Sequence, residues 1–250
     1  MRIDKYLCDC GIDTRSNIKK NIKHGLVTVN NQIVTDASLH VSIDDEICFA
    51  HQKIMYQEYE YYMLYKPASC VCAAQDKNHL TIFHYLPQND KQNLFCIGRL
   101  DIDTEGLLII TNDGDFSHQL LHPKKHVSKT YYVEYSGVLT SEALQIWESG
   151  MDIGEKKLLH PAKAVFTDNS KNHPCSEGAC LLTISEGKFH QIKRMLHGVS
   201  CEVLYLKRLS MGSFQLDEQL KATQYRPFCE EELNEVKKYK QFMYSIETYC

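Results

Sequence analysis

Four consecutive apolar residues, Leu107-Leu108-Ile109-Ile110, stand behind a loop of carboxylates in the stretch GRLDIDTEGLLIITNDGD at positions 98–115. A run this short and this apolar, bracketed by Gly106 and the polar Thr111-Asn112-Asp113-Gly114, reads as a buried strand. It also constrains what the acidic loop can be. A helix-loop-helix calcium site needs oxygen ligands at loop positions 1, 3 and 5, Gly at 6 and a bidentate Glu at 12. Asp101, Asp103, Glu105 and Gly106 fill the first four, but position 12 is Asn112, and a strand stands where the exit helix would begin. Something other than metal binding has to explain the cluster.

The 250 residues suffice for one sizeable core and a small accessory module. Apolar residues make up 43% and charged residues 24%, the balance of a globular protein. No apolar run approaches the roughly twenty residues of a membrane helix, and MRIDKYLCDCG lacks the apolar core of a signal peptide, so a cytoplasmic protein with no membrane partner is expected. The eleven cysteines include two C-x-C pairs and no C-x-x-C, which points to reduced thiols. His173, Cys175 and Cys180 fit no standard zinc spacing, and no metal is expected. The net charge of −4 weighs against a nucleic-acid partner only when averaged over the surface, so the local pattern decides.

Two modules follow from that pattern. Residues 2–10 and 15–24 both have helical spacing, the second with Thr14 as N-cap and Gly25 just past its end. VTVNNQIV then reads as two half-strands turned by Asn30-Asn31. Arg15, Lys19 and Lys23 fall at i, i+4 and i+8 as a basic stripe, with Lys20 beside it; a solvated face is the plainer explanation of such a stripe. In this setting RIDKYL…TRSNIKKNIKHGLVTVNNQIV resembles the α-L RNA-binding module first described in ribosomal protein S-four, over residues 1–50. Residues 51–60 read as a linker and 61–250 as a second domain. Strands are expected near 61–65, 94–97, 106–111, 129–136, 179–185 and 201–216, and helices near 81–86, 115–121, 141–149, 188–197 and 229–245. Without regular βαβ alternation this is an α+β pattern.

Chemistry-bearing residues concentrate in three segments of the second domain. Arg99 and Asp101 project from the loop between two strands, a usual placement for functional groups. HVSKTYYVEYSG puts Lys129, Tyr131 and Val133 on one strand face. SEGKFHQIKRMLHG, read as a helix, turns Phe189, Ile192 and Leu196 to the core and His190, Lys193, Arg194 and His197 to a basic face, with Lys188 at its start.

Together with KPASCVCAAQDKNHLTIFHYLP, KTYYV and VLYLKRLSMGSFQLDEQLKATQYRPF, these segments resemble the RsuA-type ribosomal RNA pseudouridine synthases over essentially the whole chain. The resemblance implies a mixed, mainly antiparallel sheet with a central cleft, no metal, no organic cofactor, and isomerisation of a uridine to pseudouridine. It places the nucleophilic carboxylate on Asp101, its basic partner on Lys193, the active-site tyrosine on Tyr131, and on Arg99 an arginine that fills the space the uridine leaves. Whether Asp101 forms an adduct or assists elimination at the sugar stays open. Lys129, Lys188, His190 and Arg194, with the stripe of Arg15, Lys19, Lys20 and Lys23, are the expected RNA contacts. The expected partner is 16S ribosomal RNA in a partly assembled small subunit, met by a monomer; a 23S site is the alternative. Two other classes fit parts of the pattern: a noncatalytic ribosome-assembly binder, and a glycosidase pairing Asp101 with Asp103 or Glu105.

Overall fold

The computed structural model describes residues 1–42, 44–54, 56, 59–86, 94–168 and 170–247, with backbone alone at 242–247. The chain divides into two compact units, Met1–Tyr59 and the described residues from Glu60 onward.

In the first unit, helices α1 (Ile3–Asp9) and α2 (Arg15–Lys23) pack beside strands β1 (Val27–Val29), β2 (Gln32–Val34), β3 (Ile47–Phe49) and β4 (Gln52–Ile54), which form an antiparallel sheet in the order β2-β1-β3-β4. The Thr14 hydroxyl caps α2 by accepting from the Asn17 N–H at 3.4 Å. Gly25, at φ +73°, ends it: its N–H bonds to the Ile22 carbonyl and that of Leu26 to the Asn21 carbonyl, the paired bonds of a Schellman motif. Asn30 and Asn31 both take left-handed φ values, 48° and 64°, as a primed two-residue hairpin requires. Ile3, Leu7, Ile18, Ile22, Val27 and Ile47 are fully buried in this unit's core.

The expected linker at 51–60 is corrected in part, because Gln52–Ile54 pairs with β3 in the sheet; residues 55, 57 and 58 lie outside the described residues. The hairpin between β3 and β4 turns at Ala50-His51, with φ of 48° and 67°. That dipeptide carries none of the Asn or Gly signature of such turns.

The second unit contains strands β5 (Tyr61–Lys66), β6 (Cys70–Val71), β7 (Leu80–Thr81), β8 (Phe95–Ile97) and β9 (Glu105–Thr111), then helix α3 (Gly114–Leu121), strand β10 (Lys129–Ser136), helix α4 (Ser141–Ser149), strands β11 (Lys163–Thr167) and β12 (Gly178–Ile184), helix α5 (Gln191–His197), strands β13 (Glu202–Met211), β14 (Phe214–Gln215) and β15 (Tyr225–Pro227), and helix α6 (Glu230–Glu247). Among the described residues, nine strands form one mixed sheet in the order β11-β12-β10-β13-β9-β5-β15, with β8 beside β9 and β14 beside β13. Every pair in it is antiparallel except β13 with β9. The architecture is α+β, as expected. Leu107 to Ile110 are completely buried in the middle of this sheet.

The parallel seam depends on one glycine. Gly106 faces Arg208 across it with φ +103°, and a Cβ there would overlap the Arg208 carbonyl.

Three expected elements are corrected. The helix at 81–86 is a single 3-10 turn, Ile82–Tyr85, too short to nucleate an α-helix ahead of Pro87. The strand at 201–216 breaks at Gly212, φ +58°, into β13 and β14. The helix at 188–197 starts only at Gln191, because His190 adopts φ 48°.

Candidate active site

Lys66 anchors the loop that carries Asp101. Its side chain is fully buried at the end of β5, and its ammonium donates to the carbonyls of Pro67 at 2.9 Å and Thr104 at 2.8 Å, with that of Ile102 at 3.5 Å. Burial pulls the Lys66 pKa below the usual lysine range. The Ser69 N–H bonds to the Ile102 carbonyl at 2.7 Å and the Thr104 N–H to that of Asp101 at 3.1 Å. Cys72 accepts from the Leu100 N–H at 3.4 Å, and a hydrogen bond from Cys96 pulls the Cys72 thiol below the usual range. The loop is therefore held on both sides of Asp101 by groups from the strand β5 region. Sequence reasoning missed Lys66; the dipeptide Lys66-Pro67 was visible, but nothing in it shows that the ammonium turns inward.

The acidic cluster separates into distinct jobs. Asp113 caps α3 by accepting from the Phe116 N–H at 3.0 Å, and also accepts from the Tyr61 hydroxyl at 2.6 Å and from Lys240 at 2.8 Å. Burial raises its pKa, but these donors, Lys240 foremost, outweigh burial and hold the carboxyl below its usual range. Glu105 accepts from the hydroxyls of Tyr65 at 3.1 Å and Tyr205 at 2.9 Å. Asp115 lies in the first turn of α3, where its charge suits the helix dipole. Asp103 pairs with Lys193. Only Asp101 reaches the cleft without a hydrogen-bonded partner among the described residues, its side chain 33% exposed, with His190 Nε2 at 3.6 Å and Lys193 Nζ at 4.0 Å.

The cleft brings together Arg99, Asp101, Tyr131, Lys188, His190 and Lys193 over an apolar floor of Leu100, Ile184, Ile192 and Leu206. Tyr131 is 7% exposed and sits on β10 where the register against β13 slips between Thr130 and Tyr131. Bulges of this kind re-aim side chains beside active sites.

Two expected RNA contacts do not belong to this cleft. Lys129 shares a strand face with Tyr131 and Val133, but that face is interior: Lys129 donates to the Val127 carbonyl at 2.9 Å, and burial, then the charge of Arg208, lowers its pKa to about 8. Arg194 is committed to Glu155 at 2.7 Å, to the Phe189 carbonyl at 3.2 Å and to the Ile153 carbonyl. Phe189, expected in the core, is 72% exposed because it precedes the helix. Cys180 is buried in the core and its thiol is pushed up to about 12, while the His173 ring accepts from the Cys175 N–H in a loop.

In the first unit, Arg15, Lys19, Lys20 and Lys23 are all exposed. Arg2 at 3.0 Å and Arg15 at 3.2 Å clasp the buried Asp4, with Lys19 at 4.0 Å. Burial works against ionisation of Asp4, but Arg15 and Arg2 outweigh it and keep its pKa low. Three cations thus surround one carboxylate.

Residues 60–198, which carry every cleft residue but Leu206, match the family described as RNA pseudouridylate synthase, and residues 1–47 match the S4 domain. The chain belongs to the RNA pseudouridylate synthase family. An uncharacterized RNA pseudouridine synthase of Bacillus subtilis is 39% identical over 94% of this chain and 97% of its own length. Ribosomal small subunit pseudouridine synthase A of Haemophilus influenzae is 35% identical over 95% of this chain and all of its own. Ribosomal large subunit pseudouridine synthase B of Bacillus subtilis is 37% identical over 83% and 84%. A solved crystal structure of pseudouridylate synthase superimposes with a TM-score of 0.65 at 34% identity, covering 94% of this chain and 99% of that one. As a pseudouridine synthase, this enzyme catalyses an isomerisation: the bond between ribose and the uracil nitrogen is exchanged for one to a ring carbon, with no change in composition.

Proposed function

We propose that the enzyme converts one uridine of 16S ribosomal RNA to pseudouridine, in a folded loop of a partly assembled small subunit, with Asp101 as the group that acts on the ribose. The observation that carries the chemical reading is the position of Asp101: a carboxylate without a hydrogen-bonded partner among the described residues, at the mouth of an apolar-floored cleft, flanked by His190 and Lys193. A carboxylate so placed can attack the sugar or stabilise it as the base departs. Tyr131 offers a ring to stack on the extruded uracil and a hydroxyl to move a proton. Arg99, exposed at the rim, suits the gap the flipped uridine leaves, where a cation also meets phosphates. Lys188 and His190 add positive or donor groups to the same rim, while the exposed Arg15, Lys19, Lys20 and Lys23 supply a phosphate-binding face on the first unit.

The small-subunit substrate is supported by full-length similarity to relatives of that name, from Haemophilus influenzae and from Vibrio vulnificus at 36% identity. The large-subunit relative favours a second reading, a 23S uridine, since its 37% identity is as high over a shorter span. Carbodiimide primer extension on ribosomal RNA from a strain lacking the gene separates the two. One 16S mark should vanish; loss of a 23S mark with every 16S mark intact contradicts the small-subunit assignment.

A further inference from the structure

Phe189 is 72% exposed, yet it is held in place. Its ring lies on the His190 imidazole, centroids 3.8 Å apart and planes 18° from parallel. Its carbonyl accepts from Arg194 at 3.2 Å, and Arg194 is fixed in turn by Glu155. The left-handed His190, φ 48°, lifts both rings off the start of α5 and carries the imidazole to 3.6 Å from Asp101. A non-glycine residue in that conformation costs free energy that the surroundings must offset, a feature that gathers at functional sites. The result is a short stack that begins at the reacting carboxylate and ends in a flat aromatic face open to solvent.

Extruding a base from RNA removes the stacking partner of its neighbour in the strand. A neighbouring base left unstacked next to the cleft seeks another π face, and aromatic side chains supply one in single-stranded RNA recognition. Arg99 and Lys188, on the same cleft, would meet the phosphates on either side of the extruded nucleotide. We propose that the outer face of Phe189 stacks the nucleobase adjacent to the target uridine and so reads the nucleotide context of the site. The inference rests on the cleft around Asp101 being the active site, and it assigns Phe189 to substrate grip with no part in bond exchange.

The test is steady-state tritium release by full-length enzyme, acting on ribosomal RNA and ribosomal particles labelled at uracil carbon 5 and taken from cells lacking the protein. Phe189→Ala and Phe189→Leu are expected to raise KM about five- to a hundredfold, the range of one base stacked on an aromatic ring, with kcat within about twofold. Phe189→Tyr, which keeps the π face, should hold KM within about twofold. The inference is overturned if Phe189→Ala leaves KM unchanged, if its loss falls on kcat alone, or if Phe189→Leu matches the wild type, which would mean that bulk over His190 is all the ring supplies. Asp101→Asn, run alongside, separates the two levels: an inactive variant with an unaltered Phe189→Ala removes the stacking subsite only, whereas an active Asp101→Asn removes the reading of the cleft itself.

Discussion

Lys193 donates to both carboxylate oxygens of Asp103 at 2.7 Å and stands 4.0 Å from Asp101. The cation therefore rests on Asp103, the more exposed of the two carboxylates and two residues from Asp101 along the same loop, while its field still reaches Asp101. Lys193→Met should lower the single-turnover rate by about a hundredfold or more, since a loss near 3 kcal/mol is in keeping with one charge at this distance in a partly desolvated site. Asp103→Asn should cost less than about tenfold, because Lys193 then falls to Asp101. Equal losses in the two variants would show that Asp103 has a role of its own in the reaction.

The buried Lys66 ammonium, bonded to the Pro67 and Thr104 carbonyls, sets the loop's shape. Lys66→Met leaves those carbonyls without their donor inside the protein, at about 1–3 kcal/mol for each orphaned group. Thermal unfolding should show a destabilisation of about 3 kcal/mol, and turnover should fall even at temperatures where the variant is folded. A variant as active and as stable as the wild type would mean that the loop is held by its other bonds.

Much of this arrangement was legible in the sequence, and the misses share a cause. The buried strand after the acidic loop, the caps of α2 and the Asn30-Asn31 turn all follow from local chemistry, and they stand where the sequence places them. Asp101, Tyr131 and Lys193 were legible through motifs, and they do line one cleft. What stayed hidden depends on long-range placement. Lys129 and Lys66 look like surface cations until β10 and β5 are seen to lie inside the sheet. Phe189 looks like a core residue until His190 breaks the helical phase. Strands β11 and β15 lie at the two edges of the sheet, and their pairing with β12 and β5 is a tertiary fact that short sequences such as Tyr225–Pro227 do not announce.

Lys129 gives a pH signature. Its pKa in the folded protein, about 8, lies below the ordinary value of 10.5, so between those pH values the unfolded chain binds more protons and folding stability rises with pH. Below pH 8 the buried charge is fully present and costs stability. The stability gap between Lys129→Met and the wild type should therefore shift in the wild type's favour from about pH 8 to 10.5, as the native lysine loses its proton, whatever the variant loses with the bond to the Val127 carbonyl. A gap that stays constant across that window would contradict a buried, charged Lys129.

The cations on α2 make a prediction about salt. Arg15, Lys19 and Lys23 are exposed, although Arg15 and Lys19 share the carboxylate of Asp4. If all three meet phosphates, their joint replacement by Ala should reduce the slope of log affinity against log salt by about 2, at about 0.7 for each phosphate of single-stranded RNA that is no longer neutralised. An unchanged slope in a filter-binding or anisotropy titration would assign the stripe to solvent alone.

The central claim is that Asp101 acts on the ribose, and tritium release from carbon-5-labelled ribosomal RNA by purified Asp101→Asn tests it most directly. The variant keeps the shape of the side chain and removes its charge, while affinity rests mainly on phosphate contacts elsewhere. No release above background is expected, together with RNA affinity within a few fold of the wild type; measurable turnover by Asp101→Asn would contradict a role for this carboxylate at the sugar.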